Sequence, residues 1–345
     1  MKVKLKPIDA QVIVITGATS GIGLATARLA AERGARLMLI ARNGEALETL
    51  ARELTAKGVQ VEHAVADVGD ADQLQKASDQ AIARFGGYDT WVNNAGFSIY
   101  GQCLDVPVNE QKELFDTNFW GVVNGSLIAA RHLKAHGGAL INLGSEASDV
   151  ALPLQGAYVA SKHAVKGYTD ALRMELQSEG APVSVTLIKP AGIHTRFVEH
   201  ARKHVDRQPK LPPPVYAPDI VAQAIVHAAT HTVRDLYIGG ASASMAAFAR
   251  IAPRLYDRMM SRIGISSQLT AEPVGAQTDP GSSDGALHER SSQQRVVLES
   301  SLYTQAAMHW RKTALIAGGA LAMWMLTRGA RRAQSGPKVA GHSVQ

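Results

Sequence analysis

The stretch that most constrains the fold is residues 11–34. Residues 11–16 (QVIVIT) form a short, β-branched apolar run, as a buried parallel strand requires. The run leads directly into Gly17-Ala18-Thr19-Ser20-Gly21-Ile22-Gly23, then into a helical pattern over 24–33 that ends at Gly34. Strand, glycine turn and helix start together make an anion site. The first N–H groups of a helix have no intrahelical acceptor, and the helix dipole adds positive potential there. The glycine spacing is G-x-x-x-G-x-G, not the G-x-G-x-x-G of the common dinucleotide fingerprint. Placed after a first strand, it predicts a cradle for a dinucleotide pyrophosphate.

The same alternation continues along the chain. Residues 36–41 (RLMLIA) read as a second buried strand, followed by Arg42-Asn43. A ribose-reading residue is expected about 20 residues beyond the glycines: an acid for a 2′-hydroxyl, an arginine for a 2′-phosphate. Arg42 with no acid beside it predicts NADP(H) over NAD(H). Residues 59–66 are a third strand closing on Asp67-Val68, 72–85 a helix, and 88–92 a fourth strand delivering Asn93-Asn94-Ala95-Gly96. Small residues there let a cofactor approach the backbone. Asn118 sits in a long helical stretch, where its amide needs a partner. Residues 138–144 form a fifth strand ending at Ser145, and 157–177 a helix. Residues 183–188 form a sixth strand ending in Pro190-Ala191-Gly192-Ile193-His194-Thr195. A helix over 218–230 and a last strand over 236–240 complete the pattern. Repeated β-α units of this length predict an α/β fold, a Rossmann-like doubly wound parallel sheet flanked by helices, with ligand at its carboxyl edge.

Within the 157–177 helix, Tyr158 and Lys162 are four residues apart and so share a face. An ammonium within about 4–6 Å lowers a phenol's pKa by about 1–3 units, making it able to trade protons near neutral pH. The pair alone is weak evidence in a chain with eight tyrosines, so its weight comes from the company it keeps.

That company resembles the short-chain dehydrogenase/reductase family over roughly residues 9–240. Thr16-Gly-Ala-Thr-Ser-Gly-Ile-Gly23, Asn93-Asn-Ala-Gly96, Asn118, Ser145, Tyr158-x-x-x-Lys162 and Pro190-Ala-Gly-Ile-His-Thr195 match its motifs in order and spacing. The resemblance implies an oxidoreductase transferring hydride between NADP(H) and a carbonyl or secondary alcohol. Tyr158 would be the general acid/base and Ser145 would bond the substrate oxygen. Lys162 would lower the tyrosine's pKa and hold the nicotinamide ribose, while Asn118 would support a relay water. Gly17, Thr19, Ser20, Gly21, Ile22 and Gly23 would cradle the phosphates, and Arg42 and Asn43 would face the 2′-phosphate. Asp67 and Val68 would flank the adenine. Asn94, Ala95, Gly96, Pro190, Ile193 and Thr195 would complete the cofactor site.

The chain has Pro190-Ala191 where the family usually has Pro-Gly, which predicts a small backbone adjustment. Glu146, after Ser145, is unusual: it either faces solvent or sharpens substrate choice. An epimerase or dehydratase of the same superfamily is disfavoured by the glycine spacing. A non-catalytic tethered nucleotide binder is disfavoured by the four reacting positions. Gly144-Ser145-Glu146-Ala147 lacks the second glycine of a hydrolase elbow. His200 and His204 lack the zinc-protease order and read as a solvated lid helix, and His194 reads as structural or exposed. The basic, proline-rich stretch 196–218 reads as a substrate lid.

The lone cysteine, Cys103, excludes an intrachain disulfide, fits a reducing compartment and reads as a small buried hydrophobe. The net charge of +6 is scattered, not gathered into a nucleic-acid tract. The first residues have no apolar run behind their charges and do not form a secretory signal.

Beyond the catalytic domain (1–240), residues 241–265 predict an amphipathic helix with arginines on one face, kinked at Pro253. Residues 266–295 predict a flexible linker, 296–330 a C-terminal helix with an uncharged segment over 313–327, and 331–345 a basic flexible tail. Fifteen helical residues span about 22 Å, short of the roughly 30 Å hydrocarbon core. Three placements stay open: a spanning anchor, a helix embedded in the cytoplasmic leaflet, or a helix packed on protein. The expected partners are a hydrophobic carbonyl or alcohol, a membrane surface on the cytoplasmic side, and further copies of the chain. No nucleic acid and no metal are expected.

Overall fold

The computed structural model describes residues 3–275, 286–293 and 295–309. Val12–Thr16 (β1) is buried along its whole length and is followed, after the glycine turn, by α1 (Gly21–Glu32). The unit then repeats through β2 (Arg36–Ala41), α2 (Gly44–Ala56), β3 (Val61–Val65), α3 (Ala71–Phe85) and β4 (Thr90–Asn93). Local chemistry sets the helix ends. Asn43 caps α2 by accepting the Ala46 N–H at 2.8 Å. Asp70 caps α3 through the N–H groups of Asp72 and Gln73, and Gly86 terminates it at φ 81°.

After the short β5 (Ile99–Gly101) come α4 (Val108–Phe115), a π-helical turn at Asp116–Trp120 and α5 (Gly121–His136). β6 (Gly138–Leu143), α6 (Gly156–Ser178) and β7 (Val183–Pro190) follow. Three short strands, β8 (Arg202–His204), β9 (Arg207–Pro209) and β10 (Val215–Tyr216), precede α7 (Pro218–Thr230) and β11 (Asp235–Ile238). The remaining elements are α8 (Gly240–Ile251), α9 (Pro253–Ser267), β12 (Leu269–Pro273), β13 (Val297–Leu298) and α10 (Leu302–Met308). Two compact units divide the chain, Met1–Thr304 and Gln305–Gln345. The sheet and the cavity described below belong to the first.

Seven strands form one parallel sheet in the order β11-β7-β6-β4-β1-β2-β3. From β1 the chain winds outward to β3, then returns to β4 and winds the other way. The direction reverses between β1 and β4, which opens a crevice at the carboxyl ends of those strands. The central strands are rich in buried Val, Ile, Leu and Met, while the edge strand β3 is half-buried; helices cover both faces, α1 packing with α7 on one, α3 with α5 and α5 with α6 on the other. The Rossmann-like expectation holds.

Several expectations do not. The single kinked helix over 241–265 is two helices, broken where Ala252 takes φ −133°, ψ 62° ahead of Pro253. The linker expected over 266–295 contains β12, paired antiparallel with β9, and residues that bond to α1 and to the lid. Its ordering comes from tertiary partners that composition does not reveal. His200 and His204 lie on a turn and on β8, not on a lid helix, and His204 Nε2 meets Glu110 at 2.9 Å. Cys103 is exposed rather than buried. The apolar segment 313–327 and the tail 331–345 fall outside the described residues. Among the described residues, no helix is long and apolar enough to cross a membrane.

Candidate active site

A cavity of about 870 Å³ runs along the carboxyl edge of the sheet, from the glycine turn to the inner faces of α8 and α9. Every site residue expected from the sequence lines it except Gly23 and Asn118, which lie directly behind its wall.

The nucleotide half is shaped by close backbone packing. Gly17 has φ 65°, and a Cβ there would lie 2.9 Å from the Cα of Ala95. At Gly23 a Cβ would lie 2.1 Å from the Gly17 carbonyl oxygen, so only glycine lets α1 seat this close under its own turn. Asn94 ties the end of β4 to the turn: its Nδ2 donates to the Thr16 and Gly17 carbonyls at 2.9 and 3.2 Å, and its N–H donates to Thr16 Oγ1 at 2.9 Å. From the loop after β7, the Thr195 side chain comes within 3.1 Å of the place a Gly21 Cβ would take. Arg42 and Asn43 follow β2 at the far rim. Asn43 Oδ1 is engaged in capping α2. Asp67 and Val68 follow β3, with Asp67 Oδ1 accepting the Gly69 N–H at 2.8 Å.

The reacting half is built on α6 and on the turn after β6. Ser145 caps a 3₁₀ turn (Glu146–Ser148), its Oγ accepting the Ala147 N–H at 3.1 Å. Asp149, just beyond, binds Lys189 Nζ and the Tyr237 hydroxyl, both at 2.9 Å, which anchors the turn to β7 and β11. The Tyr158 hydroxyl faces the Ser145 side chain, which favours its ionised form. Lys162 lies one helical turn along α6, its Nζ 5.8 Å from the Tyr158 ring centre and donating to the Leu143 carbonyl at 2.9 Å. Asn118 sits in the π-helical turn, which swings it inward. Its Oδ1 accepts the Phe97 N–H at 2.9 Å and its Nδ2 donates to the Phe97 carbonyl at 2.8 Å, so it clamps the loop that carries Gly96.

One electrostatic expectation is overturned. Burial pushes Tyr158 up to about 12, opposed by the Ser145 side chain and helped by the nearby Glu146 charge. Lys162 does not bring it down: the ammonium points at the Leu143 carbonyl, and its own burial lowers it to about 8. Glu146 does not face open solvent either. Half-buried, it lines the cavity without a hydrogen-bonding or ionic partner for its carboxyl among the described residues, and desolvation raises it to about 7.

Other functional positions escape sequence reasoning. Thr16 organises the turn through its hydroxyl. The cavity is also walled by Met245 and Phe248 of α8, by Met259, Met260 and Ile263 of α9, and by Leu152, Phe197 and Leu211. The apolar periodicity of 241–265 was the available signal, although it does not say which surface the helices cover. A strap over 286–293 crosses the nucleotide end. The His288 carbonyl accepts the Gly21 N–H at 2.9 Å, Glu289 pairs with Arg28 at 2.7 Å, and the Ser292 N–H donates to Glu199 at 2.8 Å. Nothing in the local sequence (ALHERSSQ) signals this.

Known proteins share this arrangement. A family model described as short chain dehydrogenase matches residues 11–206. The uncharacterized oxidoreductase YxnA of Bacillus subtilis is 43% identical over 326 residues, covering 93% of this chain and 92% of its own. Dehydrogenase/reductase SDR family member 7B of Bos taurus is 34% identical over 263 residues, 72% of this chain and 80% of its own. A short chain dehydrogenase/reductase from Burkholderia phymatum, solved with NAD, superposes with a TM-score of 0.66 at 26% identity, covering 73% of this chain and 96% of that one. An alcohol dehydrogenase from the archaeon Thermococcus sibiricus, solved with 5-hydroxy-NADP, gives a TM-score of 0.59 at 29% identity, covering 66% and 95%.

Proposed function

The chain belongs to the short-chain dehydrogenase/reductase family of oxidoreductases, and from its cavity we propose that it interconverts a hydrophobic carbonyl compound and its secondary alcohol with NADP(H). The observation that carries this is the meeting of Tyr158, Ser145 and Lys162 at the middle of a single cavity. One arm of that cavity is the glycine cradle and the other is apolar. A nicotinamide dinucleotide bound in the first arm would supply or accept the hydride.

The chain's own groups handle the proton and the positioning. The glycines at 17, 21 and 23 leave no side chain over the turn, so a pyrophosphate could approach the start of α1, where the His288 carbonyl of the strap takes the Gly21 N–H. Arg42 follows β2 at the cavity rim and is the residue type that a ribose 2′-phosphate calls for at this position, which supports NADP(H) over NAD(H). Lys162 spends one of its three donors on Leu143, leaving two for ribose hydroxyls. Ser145 and Tyr158, side by side in the cavity, would present two hydroxyls to one substrate oxygen. With its pKa near 12 the phenol is neutral at physiological pH, the form that gives its proton to the strongly basic alkoxide produced by reduction. Asn118 holds the Gly96–Phe97 backbone in place behind the nicotinamide end.

Met245, Phe248, Met259 and Met260 make the other arm suited to an apolar substrate body. A panel of ketones and aldehydes of graded hydrophobicity, followed by NADPH loss and product identification, tests the proposal. NADPH-dependent reduction that improves with apolar size is expected. Turnover confined to small polar carbonyls would remove the hydrophobic substrate. Product formation without net NADPH consumption would point to epimerisation, and NADPH binding without any turnover would remove the enzyme.

A further inference from the structure

The helices that wall the substrate arm have an outer surface of a different character. Arg250, Arg254, Arg258 and Arg262 recur at every fourth position of α8 and α9, all exposed, and none has an ion-pair partner among the described residues. Asp257 is the sole acid between residues 240 and 267. At roughly 100° per residue, Arg254, Arg258 and Arg262 form one stripe along α9, and Leu255, Met259 and Ile263 form the stripe beside it. Tyr256 and Gly264, which are buried, lie on the opposite side. Ile251, Leu255 and Ile263 are 82%, 55% and 53% exposed, an unusual amount of aliphatic surface on adjacent helices. Ile263 also lines the cavity, so the apolar stripe runs into the mouth of the substrate arm.

We infer that this outer face of α8 and α9 docks on an anionic phospholipid surface and opens the substrate arm toward the lipid. A row of cations beside a row of aliphatic side chains fits the headgroup–acyl boundary, where the guanidinium groups stay with phosphates while Ile251, Leu255 and Ile263 enter the chain region. A symmetric contact with a second copy would set arginine stripes against each other, which like-charge repulsion opposes. Only the functional consequence, entry of an apolar substrate from the bilayer, rests on the proposed activity. Docking itself stands on the helix face and is measured without turnover.

The test uses the full chain and vesicles of phosphatidylcholine with or without phosphatidylglycerol. Because segment 313–327 could bind lipid independently, the readout is placed on α9: an environment-sensitive fluorophore on Leu255→Cys in a Cys103→Ser background. The expected results are a blue shift on anionic vesicles, loss of that shift in high salt, and little change on neutral ones. Each arginine near an anionic surface contributes about fivefold to partitioning, so Arg254→Gln/Arg258→Gln/Arg262→Gln should weaken it by about a hundredfold. NADPH affinity of the triple variant should be unchanged, which controls for folding. A silent fluorophore on a chain that still sediments with vesicles would overturn the inference, because the tail alone would be docking. Wild-type partitioning by the triple variant would also overturn it. So would a shift that follows protein concentration rather than lipid, which would assign the face to a second copy.

Discussion

Replacing Glu146 by glutamine should make the protein's stability less dependent on pH, and the size of the effect can be worked from the site. The Glu146 carboxyl is nearly isosteric with the amide, is half-buried at the cavity wall and has no ion-pair partner among the described residues. Its pKa therefore rises from an ordinary 4.5 to about 7. The folded state thus holds the proton more tightly than the unfolded chain. The sign follows from linkage: below about pH 4.5 both states are protonated and nothing is lost, between 4.5 and 7 only the unfolded chain ionises, and stability falls. Above 7 the loss is complete and constant. The full loss is at most about 3 kcal/mol, and water entering the cavity will reduce it. Urea denaturation of wild type and Glu146→Gln at pH 4.5 and pH 8 isolates the term. Burying an amide contributes a pH-independent offset of about 1 kcal/mol, so the informative quantity is the difference between the two pH values. The variant should gain about 1–3 kcal/mol relative to wild type on going from pH 4.5 to pH 8. A stability difference that is the same at both pH values would refute the assignment of Glu146 as a desolvated, unpaired acid.

The packing around the nucleotide arm makes further predictions. Gly23→Ala places a methyl 2.1 Å from a backbone oxygen that cannot move aside. It should cost about 1–3 kcal/mol or more and abolish saturable NADPH binding, read by denaturation and by fluorescence titration. Arg42→Asp should lower the NADPH/NADH ratio of kcat/KM by about tenfold or more, equivalent to about 1.4 kcal/mol, and an unchanged ratio would remove Arg42 from the 2′-phosphate site. Glu289→Gln breaks the strap's ion pair with Arg28. Being partly exposed, the pair should contribute under about 1 kcal/mol to global stability, yet amide exchange at Gly21 and over 286–293 should quicken.

What could be read in the sequence was local. The β1 run, the glycine turn and the helix after it form one contiguous signal, and Tyr158 and Lys162 share a helix face whatever the rest of the chain does. The doubly wound parallel sheet followed from the repeated β-α units, although its strand order did not. What could not be read depends on partners distant in sequence. That burial outweighs Lys162 at Tyr158 is set by Leu143, which draws the ammonium away, and by Glu146, whose charge adds to the penalty. The order in residues 286–293 comes from Arg28 and Glu199, partners far away in the chain that local sequence cannot announce. Amphipathic periodicity over 241–265 was visible, but not that the inner face would finish the cavity. The inward turn at Asn118 depends on a π-helical insertion for which helical periodicity gives no signal.

The central claim is that the Tyr158 hydroxyl moves the proton beside a separately held nicotinamide. The most direct measurement is steady-state turnover of a responsive ketone by Tyr158→Phe, made alongside its NADPH dissociation constant. The phenol's removal should lower kcat by about 10²–10⁴-fold while leaving NADPH affinity close to wild type. Turnover near the wild-type rate with NADPH still bound would contradict the claim.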